Sequence, residues 1–316
     1  MDMHLPAGLI ARPAAIDDLD GVLALQQAHD TFEIGEPDTS REDVLAEWQR
    51  QRFDLATDAR VVQTAAGEII GYVEAWDKEP HVTISSMGTV HPEHFGRGIG
   101  TALLQWSEAR ARDHIVMAPP GAQVTNSHIT SHKNTAARAL FEHHGYRQVR
   151  AFWRMEIDLT QPPAAPQLPE GILVRAMDPA AEARAAFEAV EEAFADHWGH
   201  VPGNFEEWAA RSIARDDFDP SLFFLALDGD QVAGTSLCYD WPNLGWVRHL
   251  AIRRPWRRQG LGMALLIHSF GEFYRRGERH VGLGVDSANV TGATRLYERA
   301  GMHVAQQFDF FEKVLT

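Results

Sequence analysis

The chain has 316 residues, 45% of them hydrophobic, and carries 44 Asp and Glu against 29 Lys and Arg for a formal net charge of −15. That balance argues against nonspecific nucleic-acid binding, which relies on clustered Lys and Arg, and it suits a small cationic partner better. The single cysteine, Cys238, excludes a disulfide framework or a cysteine-based metal cluster and fits a reducing, cytoplasmic setting.

The first half opens on an apolar edge at Leu9, Ile10 and Ala11, followed by a helical pattern over residues 16–29. Val61 and Val62, then residues 69–75, flank Ala66, Gly67 and Glu68, which read as the turn of a hairpin. Behind Gly96, Gly98 and Gly100, the residues Ile99, Ala102, Leu103 and Trp106 recur at helical spacing. Residues 160–170 hold four of the sixteen prolines and carry neither helix nor central strand, so 161–169 reads as a linker. No apolar run nears the roughly 20 residues of a membrane span, and residues 1–6 lack the basic and apolar regions of a signal peptide.

The second half repeats this plan. Residues 222–227 and 232–238 flank Asp228, Gly229 and Asp230, a tight-turn signal. A strand over 246–252 runs into a glycine loop, and Leu261, Ala264, Leu265 and His268 follow at helical spacing. A strand at 280–285, a helix at 293–300 ended by Gly301, and a strand-rich end complete it. Gly98 and Gly260 stand 162 positions apart, and Gly145 and Gly301 stand 156 apart. Two copies of one α+β fold, each a mixed central sheet with helices on its faces, are therefore expected over 1–160 and 170–316.

The loop Arg257, Arg258, Gln259, Gly260, Leu261, Gly262 is built to hold phosphate. Glycine lets the backbone come close, first-turn N–H groups have no helical partner, and the helix dipole and arginines favour an anion. A tight strand-to-helix turn would need no ligand at all, and the Walker and dinucleotide patterns are both unmet.

This loop resembles the Gln/Arg-x-x-Gly-x-Gly/Ala pyrophosphate loop of the GCN5-related N-acetyltransferases. Residues 293–302, with Leu296, Tyr297 and Gly301, are similar to that family's Ala-x-x-Leu-Tyr-x-x-x-Gly-Phe motif. Two copies in one chain resemble the layout of mycothiol synthase and other tandem members. The resemblance implies acetyl-CoA as acyl donor. It assigns Leu250, Ala251 and Ile252 to the pantetheine arm and acetyl carbonyl, and Arg257, Arg258, Gln259, Gly260, Leu261, Gly262 and Met263 to the phosphates. Asn289 stands eight residues before Tyr297 where seven is usual, with Gly292 available to absorb the difference. The first copy retains Gly98 and Gly100, which leaves coenzyme A binding there open, but has Phe95 and Phe141 where the second has Arg257 and Tyr297. The second half is expected to be catalytic and the first degenerate.

Acetyl transfer to an amine needs a base for the ammonium proton and an acid for the departing thiolate. The resemblance makes Tyr297 the acid. Asp286, His249 and Glu192 are the base or anchor candidates, each set against a reading as ordinary core or solvated helix. Glu191, Asp196 and His197 share Glu192's predicted helix. Trp198, Trp208, Trp241, Trp246, Phe205 and Tyr239 are expected to be mostly core, with one or two walling an acceptor pocket. His128, His132, His143 and His144 lack metal-ligand spacing, and no metal is expected. The function expected is transfer of acetyl to a small primary amine by direct attack in a ternary complex. The alternatives are acetylation of cysteinyl-glucosaminyl-inositol and non-catalytic acyl-CoA binding. A monomer and a homodimer both fit.

Overall fold

In the computed structural model, which describes residues 3–77, 79–241, 244–289 and 291–316, both halves produce the same succession of elements. The first runs β1 (Leu9–Pro13), α1 (Leu19–Ile34), α2 (Arg41–Trp48), α3 (Leu55–Asp58), β2 (Ala59–Thr64), β3 (Ile69–Asp77), β4 (Thr83–Val90), α4 (Ile99–Asp113), β5 (Thr125–Ser131), α5 (Thr135–His143) and β6 (Arg147–Asp158). The second runs β7 (Ile172–Ala176), α6 (Pro179–Phe194), α7 (Phe205–Ser212), β8 (Phe223–Asp228), β9 (Gln231–Trp241), β10 (Leu244–Ile252), α8 (Leu261–Arg276), β11 (His280–Asp286), α9 (Ala293–Arg299) and β12 (His303–Val314).

The hairpins form where the turn residues place them. Gly67 takes φ 88° between β2 and β3, and Gly229 takes φ 57° in the two-residue link from Asp228 to Gln231. These are left-handed values that glycine adopts without a Cβ clash. The helix expected over 16–29 begins later and ends later. Residues 16–18 form a 3-10 turn, and α1 continues past His29 to Gly35, whose φ of 95° stops it. The added turn is held by polar contacts of His29 and Glu33, which an apolar pattern does not register. Residues 161–169 form neither helix nor strand, as the prolines dictate.

The domain boundaries differ from the contiguous halves expected from sequence. The compact units are Met1–Ala151 with Gln307–Thr316, and Phe152–Gln306. In the first, the strand order is β1-β2-β3-β4-β5-β12; in the second it is β7-β8-β9-β10-β11-β6. In each, the last place is filled by the strand that ends the other sequence copy. β12 pairs with β5 from Phe308↔Ser131 to Val314↔Thr125, and β6 pairs with β11 from Phe152↔Asp286 to Asp158↔His280. Burial explains the exchange: Phe311 packs with Phe141 and Tyr146 in the first unit, while Met155 packs with Leu283 and Val285 in the second. Within each unit one neighbouring pair is parallel, β4 with β5 and β10 with β11, and the rest are antiparallel.

The sheet of the second unit has a core on each face. One contains Val247, Leu261, Leu265, Val281, Leu283, Val285 and Tyr297 against α8 and α9. The other contains Phe187, Trp208, Leu237, Tyr239 and Ala251 against α6 and α7.

Candidate active site

The parallel strands β10 and β11 pair only through Gly245↔Val281 and Trp246↔Gly282, and then separate. Beyond Trp246, β10 pairs with β9 alone, up to Ile252↔Gly234. Its other edge, including Leu250, faces a fork without a strand neighbour, so an extended ligand can pair there as a strand would. β10 also carries a bulge: Val247 faces Cys238 and His249 faces Leu237, leaving Arg248 unpaired. A bulge bends the strand and re-aims side chains. In the first unit β3 and β4 stay in unbroken register from Gly71↔Val90 to Asp77↔Ile84.

At the end of the fork the chain turns into α8 through Gly260, which caps the helix at φ 87° and around whose missing Cβ nothing lies within 4 Å. The N–H groups of Leu261, Gly262 and Met263 belong to the first turn and have no partner within the helix. Gly262 meets Leu296, 3.1 Å from where a Cβ would sit, and Gly100 repeats this contact with Leu140 at 3.5 Å. Arg258 holds φ 64°, a left-handed conformation that costs a side-chain-bearing residue about 1–2 kcal/mol. Gly96 fills this place in the first copy, at φ 71°. Gln259 donates from its amide to the Pro255 carbonyl, and Arg257 donates to the Ile252 carbonyl at 3.0 Å and the Ala193 carbonyl at 3.1 Å.

The acids on α6 hold this loop. Glu192 accepts from the Arg253 guanidinium at 2.6 Å and from the Arg254 N–H at 3.0 Å, and Asp196 accepts from Arg254 at 2.9 Å. Burial pushes Glu192 up, but these bonds outweigh it and its pKa falls below the usual carboxylate value. The assignment of Glu192 as a base is thereby corrected, because its oxygens are engaged by the arginine loop. Glu191 accepts from the Gly203 N–H.

Around the fork the sheet brings together His249, Asp286 and the end of α6. The Phe194 ring stands edge-on to His249 at 5.6 Å and lies 4.4 Å from His197, both between centroids. Burial lowers the pKa of His197, and Asp286 lies close enough to oppose that shift. His249 is pushed down to about 3 by burial and by Arg248 and Arg211, so its imidazole is neutral at pH 7, and its buried Nδ1 has no partner. Asp286 ends β11 and accepts from the Ala288 N–H. Asn289 accepts from Thr291 and from the Ala293 N–H at the start of α9, and so serves its own helix entry. Gly292, at φ 83°, caps the start of α9. Tyr297 is buried on the α8 side, and desolvation pushes its pKa up to about 12, so it keeps its proton.

The first unit builds the equivalent place differently. Phe95 packs against Phe32 and His29, with ring centroids 5.2 and 6.0 Å apart. His29 donates to the Val90 carbonyl at 3.2 Å and pairs with Glu33, which accepts from the Asn134 amide at 2.6 Å. The end of β4 and the start of α5 are thus tied together through α1. Gly98 still caps α4 at φ 81°. Phe141 stacks on His128, which burial drives down to about 3. His132 is paired with Asp309, and among the described residues no group of three His, Cys, Asp or Glu could hold a metal ion. Cys238 is buried with its thiol pushed up to about 11, which makes it inert as a nucleophile.

Sequence reasoning missed Arg248 and Phe194. A bulge leaves no mark in residue spacing, and Phe194 reads as one more apolar position on α6. The loop-holding acids were visible as Glu192 and Asp196 at i and i+4, but their partners are sixty positions away.

Two stretches of the chain match profiles described as acetyltransferase (GNAT) domain, residues 57–148, and acetyltransferase (GNAT) family, residues 184–302. The mycothiol acetyltransferase of Thermobispora bispora is 33% identical, over 71% of this chain and 74% of that one. The mycothiol acetyltransferase of Cellulomonas flavigena is 30% identical, over 95% of this chain and 87% of that one. The crystal structure of a GCN5-related N-acetyltransferase from Sphaerobacter thermophilus superposes with a TM-score of 0.81 at 40% identity, covering 98% of this chain and 97% of that one. A tandem GNAT protein from the clavulanic acid biosynthesis pathway shares the fold, with a TM-score of 0.75 at 16% identity over 97% of this chain and 98% of that one. Fold and fork thus define an acetyl-CoA-dependent acetyltransferase. The chain belongs to the GCN5-related N-acetyltransferase family and carries two GNAT copies in tandem.

Proposed function

We propose that the second unit transfers acetyl from acetyl-CoA to the primary amine of a small molecule by direct attack within a ternary complex, and that the first unit is a degenerate copy. One observation carries this reading: both units have a parting parallel strand pair and a glycine-capped helix start, but only the second adds a protonated Tyr297 beside them. The first unit has Phe95, Phe141 and the His29–Glu33–Asn134 tie in the corresponding places.

Acetyl-CoA supplies an activated thioester, and the chain supplies position and proton transfer. The first-turn N–H groups of α8, with Arg258, receive the phosphates, while the free edge of β10 at Leu250 receives the pantetheine arm and polarises the acetyl carbonyl. Asp286 takes the ammonium proton or anchors the amine. His249, neutral, far below its usual basicity and with its Nδ1 buried, helps wall the site rather than carrying the amine proton away. The Tyr297 hydroxyl protonates the departing thiolate.

Acetylation of cysteinyl-glucosaminyl-inositol is the second reading, favoured by the similarity to mycothiol acetyltransferases along most of the chain. A panel of amines that includes this compound, followed by thiol release and product mass, tests both. Turnover confined to the thiol-sugar amine selects the second reading, and absence of turnover with every amine defeats both.

A further inference from the structure

The β10 bulge does more than bend the strand. Val247 and its partner Cys238 lie in the α8-side core, whereas Leu237, the partner of His249, lies in the α6–α7-side core. Strand side chains ordinarily alternate between faces. The extra residue breaks that alternation, so Arg248 and His249 stand in succession on the α6–α7 face, and the Arg248 charge is felt by both Tyr239 and His249 there. On the same face β11 presents Gly282, Gly284 and Asp286, with Val281, Leu283 and Val285 turned to the opposite core. The two glycines make room for the Trp246 indole, which lies 3.0 Å from where a Cβ of Gly282 would sit and 3.9 Å from that of Gly284, so the side chain of Asp286 follows directly beyond that ring.

Two features of this face call for a ligand. Arg248 is exposed and has no hydrogen bond or ion pair among the described residues, although Arg215, which shares the Tyr239 neighbourhood with it, is paired with Asp217. The face also holds three buried polar atoms without partners, His249 Nδ1, Trp208 Nε1 and Trp241 Nε1. A buried polar group left unsatisfied costs about 1–3 kcal/mol, and each such group calls for a water or ligand to fill it.

Resting on the reading of the second unit as the catalytic one, we propose that Arg248 binds a carboxylate on the acceptor, which is therefore an amino acid-like amine with its acid group a few bonds from the nitrogen. The nitrogen then meets Asp286 beside the thioester while the guanidinium fork takes the carboxylate two-pronged, the geometry arginine provides and lysine does not. The overall negative charge pointed to a cationic acceptor; the local charge at the bulge adds an anionic handle to that ammonium. Cysteinyl-glucosaminyl-inositol has its cysteinyl carboxyl tied up in an amide and offers no such handle.

The test uses the full chain, acetyl-CoA, and free L-amino acids each matched with its carboxamide. The expected result is a kcat/KM higher for the acid than for its amide by about 10-fold or more, the size of a hydrogen bond to a charged group. Arg248→Gln removes that preference without changing the KM for acetyl-CoA, and Arg248→Lys restores part of it. Amides used as well as acids by the wild-type protein overturn the inference while leaving the acetyltransferase reading intact. A raised acetyl-CoA KM in Arg248→Gln, with the acid preference retained, assigns Arg248 to the coenzyme instead and also overturns it. Absence of turnover with any amine, cysteinyl-glucosaminyl-inositol included, overturns both readings. Because Arg248 is exposed, its replacement leaves the cores untouched, and an unchanged melting temperature confirms that.

Discussion

Tyr297 and Phe141 occupy matched positions and differ by one hydroxyl, so the pair isolates the chemistry at that atom. Both rings are buried and both pack into apolar surroundings, which is the role any aromatic there would fill. The hydroxyl is the additional feature, and burial fixes its protonation. Desolvation disfavours the phenolate, the pKa rises to about 12, and the acid form persists as pH rises until that value is approached. Tyr297→Phe is expected to lower kcat by about 100-fold or more when chemistry is rate-limiting, with little change in melting temperature. The same sign argument places any alkaline loss of kcat/KM below about pH 10 on a group other than Tyr297. Wild-type turnover in a folded Tyr297→Phe protein, with pre-steady-state kinetics showing chemistry to be limiting, would make Tyr297 a packing residue only. At this scale the sequence was informative about identity: Tyr297 against Phe141 and Arg257 against Phe95 could be read from the repeat alone. It was silent on contacts. Nothing in the spacing of Glu192 announces Arg253 as its partner, and nothing in the run 246–252 announces that Arg248 would be extruded.

The loop between β10 and α8 shows how an element can be legible while its support is not. Gly260 was readable as a helix-entry glycine, and its φ of 87° in open space is the reason only glycine serves there. The strap that holds the loop, Glu192 and Asp196 on α6 against Arg253 and Arg254, depends on tertiary packing and has no local signature. Gly260→Val separates the two kinds of cost. The left-handed backbone should lower stability by about 1–2 kcal/mol, and the side chain should project into the space where phosphates are received. Gly98→Val, at φ 81° in the first unit, carries the same backbone cost and serves as its control. The expected outcome is a similar fall in melting temperature for both variants, with acetyl-CoA affinity by calorimetry reduced more than 10-fold in Gly260→Val alone. Equal loss of affinity in both would place coenzyme A in the first unit as well, and unchanged affinity in Gly260→Val would remove the phosphates from this loop.

Over the whole chain, the repeat was visible in the sequence but the partition into units was not. The nearly constant offsets between glycine motifs establish two copies, and each copy ends in a strand. Which unit that strand joins is decided by pairing and burial across more than 120 residues of separation, information that no local pattern holds. The consequence is testable by dissection. A fragment covering 170–316 follows the repeat but omits residues 152–158, the strand that pairs with β11 at seven successive positions and buries Met155 opposite Leu283. It also exposes β11 as an unprotected edge next to the fork, the arrangement that invites aggregation. A fragment covering 152–306 interrupts the repeat but keeps the second unit whole. The loss of one buried methionine side chain alone typically costs about 2–5 kcal/mol, comparable to much of a domain's net stability. The 152–306 fragment is therefore expected to unfold cooperatively on heating and to bind acetyl-CoA. The 170–316 fragment should show neither a sigmoidal transition nor binding, and should aggregate when concentrated. If instead 170–316 folds and binds while 152–306 does not, the sequence copies rather than the strand-exchanged units are the folding units, and the terminal exchange is a late docking event with little bearing on the site.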